Sequence, residues 1–333
     1  MKIIRNAIVY KAQLPRIELL AQHLQELPFE PLGETFICRA GFIPNQVTGE
    51  LVTPIEGGLS FTLRYDEKIL PKGPVKAAVQ SALDAEVEEL GRELSKDEAE
   101  AITDRVMTDL IANALPKTTI VHAFYAEADQ FLVINTTNKK LAGILVGELV
   151  KVCGSVTTTT IHISDIKGGL TARLRKYLIV DSRAFEGFTL GDSCLLKHKR
   201  NKASFDLDNL DDARKGLIEA LDAEMQVERL ELAHGEMSFK LTKDFHLRGL
   251  EFFGELTEDE LAEREDLDAA MLWRTEASVQ LLQLAAAIRA LCDLLGYKEP
   301  ETKPAAVEQA DVLSTAAGRT AQHDADLQEA AEV

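Results

Sequence analysis

The sequence predicts an α+β protein with mixed sheets and long helices, and three observations carry that expectation. Strand-like and helix-like segments come in runs, not as alternating βα units. Residues 59–65 set Leu59, Phe61, Leu63 and Tyr65 against Ser60, Thr62 and Arg64, the period of two of a half-buried strand. Val75, Val79, Leu83, Val87 and Leu90 recur every three or four residues, which places them on one helix face.

The remaining elements follow in order. Residues 3–10 read as a strand, and Ile17 to Leu27 as a short helix closed by Pro28. Loops follow at Gly41-Phe42-Ile43-Pro44 and Gly57-Gly58. After Pro71-Lys72-Gly73-Pro74 the helical spacing begins, and Ser95 with Glu98 forms a capping-box signature that restarts a helix through Ile102, Val106, Leu110 and Ile111. Leu115-Pro116 ends it. Strands are expected at Phe124–Tyr125, Phe131–Ile134 and Thr157–Ile163, with a helix over Lys139–Val152. Tyr177–Val180 reads as another strand, Ala213–Met225 as a helix, and Met237–Leu241 with Phe245–Leu247 as a hairpin. Ala269 to Leu295 is the last clear helix. From Lys303 onward the alanine- and acid-rich chain lacks aromatic residues and predicts a flexible tail.

With 333 residues the chain can bury a sizeable core, arranged as two or three domains. The apolar run 281–295 is interrupted by Gln283, Arg289 and Asp293, and the N-terminus lacks a secretory pattern. A cytoplasmic or nucleoid-associated protein without a membrane partner is expected. Four scattered cysteines, Cys38, Cys153, Cys194 and Cys292, form no Cys-x-x-Cys pair, so reduced and mostly buried thiols are expected instead of disulfides or zinc.

Motifs for chemistry are missing. No P-loop, dinucleotide-binding fingerprint or His-Glu-x-x-His occurs. Asp206–Asp212 has Asp211 where a calcium loop needs glycine, so it reads as a helix N-terminus. His162, Ser164 and Asp165 lack the glycine elbow of a nucleophile. Thr157–Thr160 is a β-branched strand and not a phosphate site. No catalytic residue, cofactor or metal is assigned.

Charge is informative because it is segregated. The chain carries a formal −18, yet residues 167–202 hold nine Lys or Arg against three carboxylates, a local excess of six that leaves −24 on the other 297 residues. Lys197-His-Lys-Arg-Asn-Lys202 is its densest block. If the block is a strand, Lys197 and Lys199 share a face, and so do Arg173 and Arg175. With few aromatics interleaved, such an array suits phosphate contacts on duplex DNA without base readout. A surface with cations inside and acids outside would let an acidic chain do this, since the outer charges are screened beyond about 8 Å.

The chain resembles the recombination-associated RdgC family of proteobacteria over most of residues 1–298. The anchors are Asn6–Tyr10, Gly41–Pro44, Glu67–Pro71, Leu115-Pro116-Lys117, Leu195–Asn201 and the Met271-Leu272 helix. The resemblance implies a ring-forming homodimer that encircles double-stranded DNA without sequence preference and restrains RecA-promoted strand exchange. It places Arg200 and Asn201 at the tip of the DNA-contacting region and matches Lys117 to a basic family position. Where the family commonly has an aromatic residue soon afterwards, this chain has Thr118 and Thr119. The implied domains are 1–70 with 118–166 and 256–300, a helical domain 71–117, a basic tip 167–255, and the tail 301–333. The expected DNA-binding set is Lys197, Lys199, Arg200, Asn201 and Lys202, with Arg173, Arg175, Lys176 and Lys117 behind it. Two rivals remain: a metal-dependent DNA-processing enzyme, and an acidic adaptor that binds the recombinase directly.

Overall fold

Twelve strands form one antiparallel sheet in this computed structural model, which describes residues 3–154, 156–161, 166–181, 183–254 and 268–298. The main path runs β2 (Cys38–Ile43), β4 (Gly58–Lys68), β5 (Pro116–Ala126), β6 (Phe131–Ile134), β1 (Asn6–Gln13), β12 (His246–Phe252), β11 (Met237–Thr242), β10 (Gln226–His234), β8 (Thr189–His198) and β9 (Asn201–Asp206). β3 (Val52–Ile55) pairs with β4, and β7 (Thr157–Thr160) with β1. Met1–Gly296 makes one compact unit.

At the β2–β6 end both sheet faces are covered. Helices α1 (Ile17–Gln25) and α4 (Lys139–Cys153) bury Leu20, Leu24, Leu145 and Leu149 against Phe42, Phe61, Leu63 and Tyr125. On the opposite face lies α7 (Ala269–Leu295), where Trp273 stacks on Phe124 with ring centroids 6.2 Å apart. That second layer corrects the half-buried expectation for β4: Ser60 and Thr62 are buried too. Burial is tolerable because Ser60 donates to the Ala123 carbonyl at 2.9 Å and Thr62 meets His122 at 3.1 Å. Helix α7 is long and apolar enough to cross a membrane, with mean hydropathy 1.4. In the fold its Leu281, Leu284, Ile288 and Leu291 are buried in the core.

Helices α2 (Lys72–Leu90) and α3 (Lys96–Asn113) form a hairpin that buries only Val75 and Ile102. The capping box is present: the Glu98 amide bonds to Ser95, and the Glu98 carboxylate accepts from the Ser95 amide at 2.9 Å. Arg92, beside that carboxylate, and Ser95 together hold it down to about 2.

Helices α5 (Ile166–Ile179) and α6 (Leu210–Asp222) cover β8–β10. Here the expected strand Tyr177–Val180 is overturned. Leu170, Leu174 and Leu178 recur at four-residue spacing and are all buried, so tertiary packing draws Tyr177 into the last turn of α5. Asp211 and Asp212 lie in the first turn of α6, as a helix N-terminus requires. Cys194 and Cys292 are buried, Cys153 is half-buried and Cys38 is exposed, all as free thiols. The His162–Ser164–Asp165 cluster, residues 256–267 and the tail from Lys303 lie outside the described residues.

Candidate nucleic-acid interface

The basic block folds as the end of a hairpin. β8 and β9 pair from Ser193↔Asp206 to His198↔Asn201, so only Lys199 and Arg200 make the turn. Cys194 and Leu196 point into the layer of α5 and α6, where Leu217, Leu221 and Val227 are buried with them. The packing over β9 is close: a Cβ on Gly216 would come within 3.2 Å of the Phe205 ring. That anchored face fixes the other one. Lys197 and Lys202 are direct cross-strand partners on the open side, where like charges destabilise a pair by a fraction of about 1 kcal/mol. Lys199 sits at φ +50°, a left-handed conformation that costs a β-carbon residue roughly 1–2 kcal/mol. Both penalties fall on cations.

Among the described residues, Lys197, Lys199, Arg200 and Lys202 have no carboxylate within 4.0 Å. The three beyond Lys197 are exposed, as is Asn201. The hairpin is polarised along its length. Asp192, Asp206 and Asp208 gather at the far end, where Asp206 and then Asp192 raise the Asp208 carboxyl above its usual range.

The second tier of cations is spent differently. Arg173 donates to the carbonyls of Leu294, at the end of α7, and of Ala184. Arg175 pairs with Asp222 at 2.8 Å and Lys176 with Asp181 at 3.6 Å. Because α5 is a helix, Arg173 and Arg175 lie about 200° apart instead of sharing a face, which corrects the strand-based expectation. Lys199 likewise belongs to the turn, and the residue on the face of Lys197 is Lys202. Lys117 is exposed at the start of β5, opposite Glu67. Seven strand steps separate β5 from β9, roughly 34 Å along the sheet, so the structure does not bring Lys117 to the block.

Three further cations, Arg229, Lys240 and Arg248, lie outside the set that the sequence predicts. Arg229 pairs across to Leu195 on one side and Thr242 on the other, and Arg248 pairs with Lys240. Directly opposed residues share a face, so Lys202, Lys197, Arg229, Lys240 and Arg248 form a stripe over five adjacent strands of the open face. Lys240 reaches Glu231 at 3.6 Å; Arg229 and Arg248 have no carboxylate partner among the described residues. A bulge between Val227 and Arg229 hides this alternation from the sequence.

Comparison with known proteins agrees in extent with this architecture. The family model described as "Putative exonuclease, RdgC" matches residues 3–298. The chain is 26% identical over 311 residues to "Recombination-associated protein RdgC" of Shewanella loihica, covering 89% of this chain and 98% of that protein. The protein of the same name from Aeromonas hydrophila is 26% identical over 309 residues, with the same coverage. A similar match in Psychromonas ingrahamii spans 166 residues and 55% of that protein. A match over nearly all of the described residues, strand sheet and basic hairpin included, makes this chain a member of the RdgC family.

Proposed function

We propose that this protein binds double-stranded DNA without sequence preference, through the tip of the β8–β9 hairpin and the cation stripe behind it. The observation that carries the reading is four cations without carboxylate partners, among the described residues, on one hairpin end of a chain with net charge −18. The stripe crosses four strand spacings, roughly 19 Å. That is comparable to one major and one minor groove together, about 18 Å, so it can meet both backbones. Point charges with no aromatic platform beside them favour phosphate contact over base readout.

On this reading the protein is a homodimeric ring that encloses the duplex, associates with the nucleoid in the cytoplasm, and modulates recombination and replication by restraining RecA-promoted strand exchange. Self-association has physical support in the α2–α3 hairpin: Val79, Leu83, Val106 and Leu110 are only half-buried within the chain, and Val87 and Leu90 are exposed. Titration of linear and closed circular duplex at several salt concentrations, with mass measured in parallel, tests both parts. A monomer, or a protein without DNA affinity, ends the ring reading.

The family description favours a second reading, a nuclease. Among the described residues no three His, Cys, Asp or Glu side chains gather as metal ligands. Magnesium-dependent loss of DNA would establish that activity.

A further inference from the structure

The hairpin tip has a concave side as well as an exposed one. An open cleft of about 670 Å³ lies between Lys197 and Lys199, the α5 residues Lys167 and Thr171, and the segment Leu221–Gln226 that leads from α6 into β10. A sphere of that volume is roughly 11 Å across, too small to admit a duplex but ample for one nucleotide. The convex tip and the cleft therefore suit different parts of a nucleic acid.

The lining divides by chemistry. Lys197 and Lys199 bring charges with no carboxylate partner among the described residues, whereas Lys167 on the rim is held by Glu228 at 3.3 Å. Leu221 and Met225 offer an apolar surface, and the thioether adapts to a flat ring. The Gln226 amide has no partner among the described residues and presents both a donor and an acceptor, which is what a base edge requires. The wall is fixed in place, with His198 Nδ1 at 3.0 Å from the Glu224 carbonyl. Lys199 and Glu224, at φ +50° and +60°, are two of only four non-glycine residues with positive φ among the described residues, and both lie on this cleft. Strain of that kind gathers where a surface is shaped for a ligand.

We propose that this cleft binds a single nucleotide, at a strand end or where a base leaves the duplex. Lys197 and Lys199 hold the phosphate, and the unpaired base lies on Leu221 and Met225 beside Gln226. The inference rests on the DNA-binding reading only for the source of the nucleotide, so a free mononucleotide tests it separately.

The test titrates the full-length protein with deoxyadenosine 5′-monophosphate, deoxyadenosine and inorganic phosphate, followed by calorimetry and by NMR. Closed circular duplex is measured alongside. Saturable binding is expected for the mononucleotide, with phosphate and nucleoside each far weaker. Met225→Glu adds a second carboxylate beside that of Glu224 and is expected to weaken the mononucleotide about tenfold, while closed circular duplex, which Arg200 and Lys202 also hold, loses clearly less. Met225→Leu should retain it, and the exposed Gln226→Ala gives a second variant with little risk to folding. Absence of saturable mononucleotide binding at millimolar concentration, or equal binding of phosphate alone, overturns the proposal whatever the duplex does. Mononucleotide binding without duplex affinity would keep the cleft and remove the DNA-encircling reading.

Discussion

The β8–β9 tip and helix α5 draw on the same basic segment, yet they spend their charge in opposite ways. On α5, Arg173 closes the carbonyl end of α7, and Arg175 and Lys176 pair with Asp222 and Asp181. At the tip, two lysines are set face to face and a third occupies a left-handed turn position, with no carboxylate within 4.0 Å among the described residues. Charge density along a sequence is therefore a poor guide to available charge. What separates the two regions is whether the fold supplies a counter-ion.

The largest test of that contrast removes the tip charges together. Lys197→Ala, Lys199→Ala, Arg200→Ala and Lys202→Ala combined should lower the slope of log K against log salt by about 3.6, four phosphate contacts at about 0.9 each. An unchanged slope would remove the tip from the interface. Next in size is Arg173→Ala, which should leave the slope alone and cost about 1.5–3 kcal/mol in urea unfolding, since it deletes charged hydrogen bonds to Leu294 and Ala184. Lys199→Gly separates conformation from charge. It should stabilise the fold by about 1 kcal/mol while the salt slope falls by about 0.9. Arg175→Ala is expected to do little: its pair with Asp222 is 44% and 59% exposed, so the loss should stay under about 0.5 kcal/mol with no change in slope. A larger effect on DNA affinity would erase the distinction between the two regions. Cys194 supplies the control, because burial pushes its thiol up to about 12. At pH 8 it should resist alkylation in every tip variant, and rapid labelling would mean that the hairpin had come apart.

Much of this fold was legible in the sequence, and the reasons differ by element. The sequence predicts helix α7 at its observed ends because a long apolar spacing and the residues after it agree. The α3 capping box and the β11–β12 hairpin were equally local signals. Near the end of α5 the local sequence misleads, because Tyr177, Ile179 and Val180 favour strands while the leucines that decide the matter act through a distant core. The tip was legible as a charge cluster but not as a hairpin, since Lys199-Arg200 carries none of the glycine or asparagine that marks a two-residue turn. Nothing local in the sequence marks Arg229, Lys240 and Arg248, because only the strand order makes them neighbours of Lys197.

The sheet ends in two different ways. At one margin, β2 is shielded by the segment around Leu27 and Phe29, whose backbone bonds to Phe42 at 3.1 Å. At the other margin β9 has no further strand among the described residues, and its hydrogen-bonding row is open to any chain that can extend it. Lys202 at its start, beside Arg200 in the turn, makes that margin electrostatically hostile to a second strand. The cations that would greet a polyanion thus also keep the molecules from stitching together into aggregates, and stripping them would cost solubility before it cost stability.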